Sequence, residues 1–364
     1  MPKKRTPPAP VADELWFVKE LAGETPPSFE AMKSLYGLSF DLCGLRPWEV
    51  IDESELIVVR DSRSGELCYC SVMGAAGEVY SVHVYIGDEG LRIFRKIAAE
   101  ELSEPGEFFA SMRSVSVEFV PKAELERPDR ELLTALAHPQ GRGIPSPVFR
   151  AMRPGFHPWF VTADEAGLLA ECVQAVITVC AAVTREKSAD FWNRADTYPM
   201  VKRVGEAEPK YQIDMVRAIL PPEPRVVPAS LPRETLQPLL DQDYPVRGTM
   251  ELDYIFSGAP VGEKNERKSF ACIALAVDAE TGIVYAPEMT GANVAPGDAI
   301  AKVFLKAIQA NRTLPKEVRV RSQKLKDSVA PIMESFGVKL RVASQLPAMD
   351  EARDGLLEFL SGGM

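Results

Sequence analysis

The sequence lacks the short motifs by which many enzymes are recognised. No G-x-x-x-x-G-K-[ST] stretch occurs, which argues against a P-loop, and no G-x-S-x-G elbow supports a nucleophile–base–acid set. The stretch "GRGIPSP" near residue 141 is glycine-rich but has no strand–loop–helix context, so we expect a surface loop there. Internal repeats are also absent. Function must therefore be sought in the arrangement of elements and side chains.

Paired cysteines of the metal-binding kind are missing as well. The six cysteines, at positions 43, 68, 70, 172, 180 and 272, form no C-x-x-C pair, which predicts reduced and mostly buried thiols. Cys68 and Cys70 point to the same face of a predicted strand, because side chains alternate. Structural zinc requires four ligands, and no second Cys or His pair lies nearby in the sequence. We therefore predict two thiols packed under a helix, and no zinc.

Long apolar runs and a signal sequence are also not evident. No apolar run approaches the roughly 20 residues of a membrane span. The start "MPKKRTPPAPVA" is basic without an apolar segment behind it, so residues 1–11 are predicted to be a disordered tail. These features predict a cytoplasmic protein with no membrane contact.

The net charge of −10 is unevenly distributed. Residues 225–364 carry 17 Lys and Arg against 18 Asp and Glu, so nearly all of the excess lies in residues 1–224. An acidic first part argues against non-specific nucleic-acid binding there, since phosphate neutralisation needs a basic surface. The near-neutral second part leaves that possibility open.

Proline marks the predicted domain boundary. The stretch "LPPEPRVVPASLPRETLQP", residues 220–238, holds six prolines, and proline removes donors and fixes φ. We predict a first domain over residues 12–220, a proline-rich linker over 221–244 and a second domain over 245–364.

The first domain reads as α+β with a mostly antiparallel sheet. "LCYCSVMG" and "VYSVHVYIG" are predicted strands that follow a strand at 55–60 in a meander, and "SVSVEFV" and "YQIDMVRAIL" are further strands. "DEGLRIFRKIAAEEL" is an amphipathic helix, and "ADEAGLLAECVQAVITVCAAVTRE" is a long helix that is apolar on most faces and therefore central. "LRPWE" and "CYCSVMGAAGEVYSVHVYIGDEGL" resemble a domain of unknown function of uncharacterised bacterial two-domain proteins. That resemblance implies an architecture but no activity.

The second domain is predicted to be α/β with the order β-β-β-α-β-α-β-α. It begins with the strand "MELDYIFSG", continues through "FACIALAV", "DAETG" and "GIVYAPEM", and then alternates helices with the strands "EVRVRS" and "VKLRVA". This order, together with "MELDYI" and "ALAVDAETGIVYAPE", resembles the RNase H-like superfamily, which includes integrase and transposase cores.

The resemblance implies a two-metal site built from carboxylates. Mg²⁺ or Mn²⁺ would be held by acids in the first strand, at the end of the fourth strand and in the last helix. Asp253 fills the first position, and Asp350, Glu351 and Asp354 are the candidates in the last helix. The fourth strand ends in Arg321 or Ser322, neither of which is an acid, and arginine stays charged at physiological pH. We therefore predict that Arg321 faces Asp253 and that the domain is a degenerate one without metal catalysis.

Two further groups of residues are candidate binding sites. "KEVRVRSQKLK" clusters basic side chains, among them Arg319, Arg321 and Lys324, which we interpret mainly as a solvated face, with phosphate or nucleic-acid contact as the alternative. Ser81, His83 and Tyr85 share a strand face that is either the wet side of an antiparallel sheet or the lining of a pocket.

Three functions follow from these residues. We expect a non-catalytic binding or scaffolding protein without a cofactor, whose partner is another protein or a second copy rather than nucleic acid. The first alternative is a divergent metal-dependent nuclease or transposase-like enzyme that uses Mg²⁺ or Mn²⁺. The second is a small-molecule enzyme built on the His83 face.

Overall fold

The computed structural model describes residues 21–362 except 22, 102–104, 137–144, 186–190, 206–209, 224, 264–265 and 292–293. The predicted tail and most of the glycine-rich stretch near residue 141 lie outside the described residues. The chain is a mixed α/β protein with two mixed sheets, and it divides into two compact units. The first comprises residues 1–221 and 262–268, and the second comprises 222–261 and 269–364.

The first unit contains a seven-stranded sheet and five described helices. The strands are β1 (Ile57–Arg60), β2 (Leu67–Met73), β3 (Tyr80–Ile86), β4 (Ser114–Val120), β5 (Ser146–Met152), β6 (Thr197–Val204) and β7 (Lys210–Arg217). The helices are α1 (Phe29–Leu45), α2 (Gly87–Ala98), α3 (Pro105–Ser111), α4 (Arg127–Ala135) and α5 (Ala163–Arg185). The strand order is β5-β4-β3-β2-β1-β6-β7, and among these strands only β1 and β6 pair in parallel.

Both faces of this sheet are covered. α1 and α5 pack on one face through the larger apolar cluster of the unit. On the other face, Leu91 and Ile93 of α2, and Met112 directly after α3, pack against Tyr69 and Tyr85. α5 is long and apolar enough to cross a membrane by length and composition alone, which corrects the expectation that no apolar run reaches that size. Nine of its side chains are buried, as is usual for the central helix of a core.

Two strands of the first unit are absent from the sequence-based expectation. β5 begins "SP" and contains Arg150, and β6 contains Pro199 followed by Lys202 and Arg203. Proline and charged residues obscure the alternation by which strands are recognised. The predicted antiparallel character nevertheless holds for five of the six strand pairs in the described sheet.

The second unit is a five-stranded sheet between helices. Its elements are α6 (Arg233–Leu240), β8 (Thr249–Val261), β9 (Ser269–Asp278), β10 (Val284–Thr290), α7 (Pro296–Asn311), β11 (Glu317–Val320), α8 (Gln323–Ser335), β12 (Lys339–Val342) and α9 (Pro347–Gly362). The strand order is β10-β9-β8-β11-β12. β8, β9 and β10 pair antiparallel, whereas β8, β11 and β12 run parallel.

Alternation along β8 separates two cores. Met250 and Leu252 face α7 and α8, and Ile255 faces α9, whose Met349 is fully buried. Glu251 and Asp253 alternate with Met250 and Leu252 along β8, so they point to the side of the sheet that carries α9.

The proline-rich stretch is not free chain throughout. It includes α6, and upstream of α6 the backbone N–H of Ala229 donates to the Ser328 carbonyl at 2.7 Å. The Ser230 N–H donates to Asp298 Oδ1 at 2.9 Å. Residues 229–240 are thus part of the second unit.

Candidate functional site

Asp253 is a buried acid on the central strand of the second unit. Its side chain faces the α9 side of the sheet, and the residue as a whole is 8% exposed. One carboxylate oxygen, Oδ1, accepts the backbone N–H of Tyr254 at 2.9 Å. The other oxygen, Oδ2, is left for a partner from the neighbouring strand.

That partner is Arg321. β11 pairs in parallel with β8 and places Val320 beside Leu252, so Arg321, the next residue, lies beside Asp253. The Arg321 Nε–H donates to Asp253 Oδ2 at 2.7 Å. The predicted pairing of Asp253 with Arg321 is therefore confirmed.

Arg321 also binds a second carboxylate. Its Nη2 donates to Asp350 Oδ1 at 2.6 Å, which makes the guanidinium a bridge between β8 and the first turn of α9. We refer to Asp253, Arg321 and Asp350 as the arginine bridge. The three side chains are 12%, 22% and 35% exposed, so the bridge is partly shielded from water.

Glu251 positions the helix that supplies Asp350. It is almost fully buried, and its Oε2 accepts the backbone N–H of Met349 at 2.8 Å. A carboxylate at a helix N-terminus satisfies a free N–H and interacts favourably with the helix dipole. Glu251 is not among the candidate residues predicted from the sequence. Its spacing of two from Asp253 in "MELDYI" was the available signal, since it places both acids on one face.

The electrostatics of the bridge favour the cation that is already there. Burial would lower the pKa of Arg321, but hydrogen bonds and charge from Asp253 and Asp350 raise it above its ordinary value. Arg353 adds a second positive charge 3.7 Å from Asp350 Oδ1. Asp350 thus lies near two guanidinium groups, one of which, Arg353, is also close to Asp354.

A divalent metal does not fit this arrangement. At about 4 Å and an effective dielectric constant of about 20, a dication and a guanidinium repel one another by about 8 kcal/mol. Within the described residues, no three His, Cys, Asp or Glu side chains come together in a way that could hold a metal ion. The residues present hold an arginine and offer no mechanistic step through Mg²⁺ or Mn²⁺.

The other acids proposed for the last helix lie outside the bridge. The Asp354 side chain is 71% exposed and lies 3.6 Å from Arg353. Glu351 is exposed on the surface of α9. Helical phase explains Glu351, which is about 100° around α9 from Asp350. Asp354 follows Asp350 by four residues, so it lies on nearly the same side but about 6 Å farther along the helix.

The basic residues of "KEVRVRSQKLK" are dispersed. Of those named as candidates, only Arg321 enters the bridge. Arg319 binds Glu317 at 3.1 Å, and Lys324 is exposed in the first turn of α8.

The face formed by Ser81, His83 and Tyr85 is not the wet side of a sheet. Ser81 and Tyr85 are buried, and Tyr85 belongs to the core under α2. His83 Nε2 is buried without a hydrogen-bond partner among the described residues, and its ring lies 4.6 Å from that of Tyr85. Burial lowers the pKa of His83 to about 4. The expectation of a solvated face is wrong, because the short helices after β3 fold back over it.

Cys68 and Cys70 are both fully buried in the cluster that joins the sheet to α5. Burial raises the pKa of the Cys68 thiol well above its ordinary value, which disfavours the thiolate that zinc requires. The predicted packing of the two thiols under a helix is confirmed.

Comparisons with known proteins identify domains but no activity. Residues 33–201 match the family model "Domain of unknown function (DUF7309)", and residues 235–357 match "Domain of unknown function (DUF6930)". No curated protein matches the chain. Among solved structures, the catalytic core domain of BIV integrase is similar at 12% identity and a TM-score of 0.24, over 31% of this chain and 69% of that chain. A likeness this small supports no conclusion about function.

Proposed function

We propose that the second unit is an RNase H-like domain whose metal position is taken by Arg321, and that the protein binds or scaffolds rather than cleaves. Three features of the unit support this. β8, β9 and β10 form an antiparallel meander, β11 and β12 extend it in parallel, and a final helix returns to the central strand. Asp253 and Asp350 occupy the first-strand and last-helix positions at which the superfamily carries carboxylates.

The arginine bridge is the observation that carries this proposal. A guanidinium that donates to both Asp253 and Asp350 takes up the oxygens that metal ions would need. It also cancels the negative charge that would attract a dication. We also propose, on composition and on the burial of α5 in the core, that the protein is soluble and cytoplasmic.

The competing proposal is a metal-dependent nuclease or transposase-like enzyme. One observation favours it: Asp253 and Asp350 do converge, since both lie within hydrogen-bond distance of one guanidinium. Catalysis would require Arg321 to leave the site. No comparable observation favours a small-molecule enzyme on the His83 face.

A nuclease assay separates the two proposals. Labelled DNA, RNA and hybrid duplexes would be incubated with the full chain in Mg²⁺ or Mn²⁺, alongside Asp253→Asn and the exposed control Asp354→Asn. We expect no metal-dependent cleavage by any of the three proteins. Cleavage by wild type and by Asp354→Asn, lost in Asp253→Asn, would establish the enzyme instead.

A further inference from the structure

The second unit carries an open, positively charged sheet face beside the arginine bridge. β11 and β12 pair with Glu317 beside Lys339 and Arg319 beside Arg341, so these four side chains share one face. α9 packs on the same side of the sheet, but its buried cluster uses residues of β8 and β9. The Lys339, Arg341 and Arg319 side chains are accordingly 65%, 60% and 39% exposed. We call these four residues the basic face.

Charge on the basic face is not balanced. Glu317 is its single carboxylate, and it lies 3.1 Å from Arg319, 3.3 Å from Lys339 and 3.6 Å from Arg341. Hydrogen bonding to Arg319 and then Lys339, with charge from Arg341, lowers the pKa of Glu317. On the same side of the sheet, the buried Glu251 of β8 is the cross-strand neighbour of Arg319. Two acids beside three cations leave an excess of one positive charge.

Two of the cations oppose one another directly. Arg319 and Arg341 are cross-strand partners, and like charges placed opposite on a sheet are destabilising. An anionic group lying over the pair would remove that repulsion. Guanidinium groups bind carboxylates through two parallel hydrogen bonds, which suits them to such a group.

We propose that the basic face binds an extended acidic segment of a partner protein. Lys339 and Arg341 are two residues apart along β12, a separation of roughly 6.6 Å. Carboxylates at alternate positions of an extended peptide have the same spacing. In the described part of the sheet, β12 pairs with β11 alone, so an extended chain also finds backbone groups along its edge.

Charge favours a peptide over nucleic acid. The chain as a whole carries −10, and residues 225–364 are close to neutral. A polyphosphate needs an extended basic surface to offset repulsion from the rest of the protein. A short peptide with a few carboxylates needs only the local excess of charge. This inference names a partner class for the binding function proposed above and rests on it, but it does not use Arg321.

Fluorescence anisotropy tests the inference. The probe is a labelled ten-residue peptide of alternating Glu and Thr, titrated with the full chain at low salt. A second peptide of the same composition, with the sequence Glu-Glu-Thr-Thr-Glu-Glu-Thr-Thr-Glu-Thr, has no two Glu residues two positions apart and tests the spacing. The variants are Arg341→Glu and a matched control, Lys302→Glu, which reverses an exposed charge on α7. Far-UV circular dichroism verifies that both variants are folded.

The expected result is saturable binding that weakens as salt screens the charges. Arg341→Glu should weaken binding of the alternating peptide at least tenfold, and Lys302→Glu should weaken it less than twofold. The second peptide should bind to wild type less tightly than the alternating peptide. No binding of the alternating peptide, equal losses in the two variants, or tighter binding of a labelled single-stranded DNA would each overturn the proposal. Metal-dependent cleavage would overturn the proposed function without changing this readout.

Discussion

Removing the arginine of the bridge should destabilise the second unit. Arg321→Ala leaves Asp253 and Asp350 facing one another without the cation that joins them. Breaking a fully buried ion pair costs about 3–5 kcal/mol, whereas an exposed pair contributes about 0–1 kcal/mol. The bridge residues are between 12% and 35% exposed. We therefore expect a loss of about 2 kcal/mol in the free energy of unfolding.

The loss should depend on pH in a direction that identifies its cause. Without Arg321, the two carboxylates repel one another in the folded state, and acid removes that repulsion by removing negative charge. The stability of the variant should therefore rise relative to that of wild type as pH falls. The difference between wild type and Arg321→Ala should shrink on acidification. A packing defect would show no such dependence.

The chain contains its own control for this measurement. All four tryptophans lie before residue 222, so tryptophan fluorescence reports on the first unit, whereas far-UV circular dichroism reports on both. In urea, Arg321→Ala should move the dichroism transition and leave the tryptophan transition unchanged. Arg247→Ala, an exposed change in the second unit, should move neither. A loss below about 0.5 kcal/mol, or a shift confined to tryptophan fluorescence, would refute this account of the bridge.

Three further predictions concern other parts of the molecule. Because burial lowers the pKa of His83 from 6.5 to about 4, only the unfolded state binds a proton on this side chain between these pH values, so the free energy of unfolding should fall by at most about 3 kcal/mol as pH drops from 6.5 to 4. His83→Phe should flatten this part of the pH profile, and an unchanged profile would contradict the burial of His83. Gly297→Ala should cost about 1–3 kcal/mol in urea unfolding, because a Cβ there would lie 1.9 Å from Ser328 Oγ, and a neutral result would mean that Ser328 rotates away freely. Brief trypsin digestion should cut after the exposed Arg225 and leave fragments 1–225 and 226–364, and a chain that resists cleavage there would contradict two separable units.

Pairing between Asp253 and Arg321 was predictable because it depends only on strand order and on the register of two strands. Once the first and fourth strands are neighbours in parallel, the register of two short apolar segments fixes which residues meet. The choice of Asp350 over Glu351 depends on the rotation of α9, and the choice over Asp354 depends on which turn of α9 lies beside the bridge. That rotation is set by Glu251 binding the Met349 N–H, a contact between residues 98 positions apart. Local sequence carries no sign of such a contact.

The expectation of a solvated face at Ser81, His83 and Tyr85 was wrong for a related reason. An alternating strand such as β3 predicts one core face and one solvated face. Whether helices cover the other face depends on where the chain after β3 packs. The amphipathic pattern of α2, with Leu91 and Phe94 on one side, required an apolar partner and was the available sign that the His83 face is covered.

The most direct test of the lost metal site is a calorimetric titration of Mn²⁺ into wild type and Arg321→Asp. We predict no saturable binding to wild type, because the guanidinium holds both carboxylates. Arg321→Asp replaces the cation with a third acid and should bind Mn²⁺ saturably, and Asp253→Asn in that background should remove the binding. Stoichiometric Mn²⁺ binding by wild type, abolished by Asp253→Asn, would show that Arg321 yields the site to metal and would contradict the account.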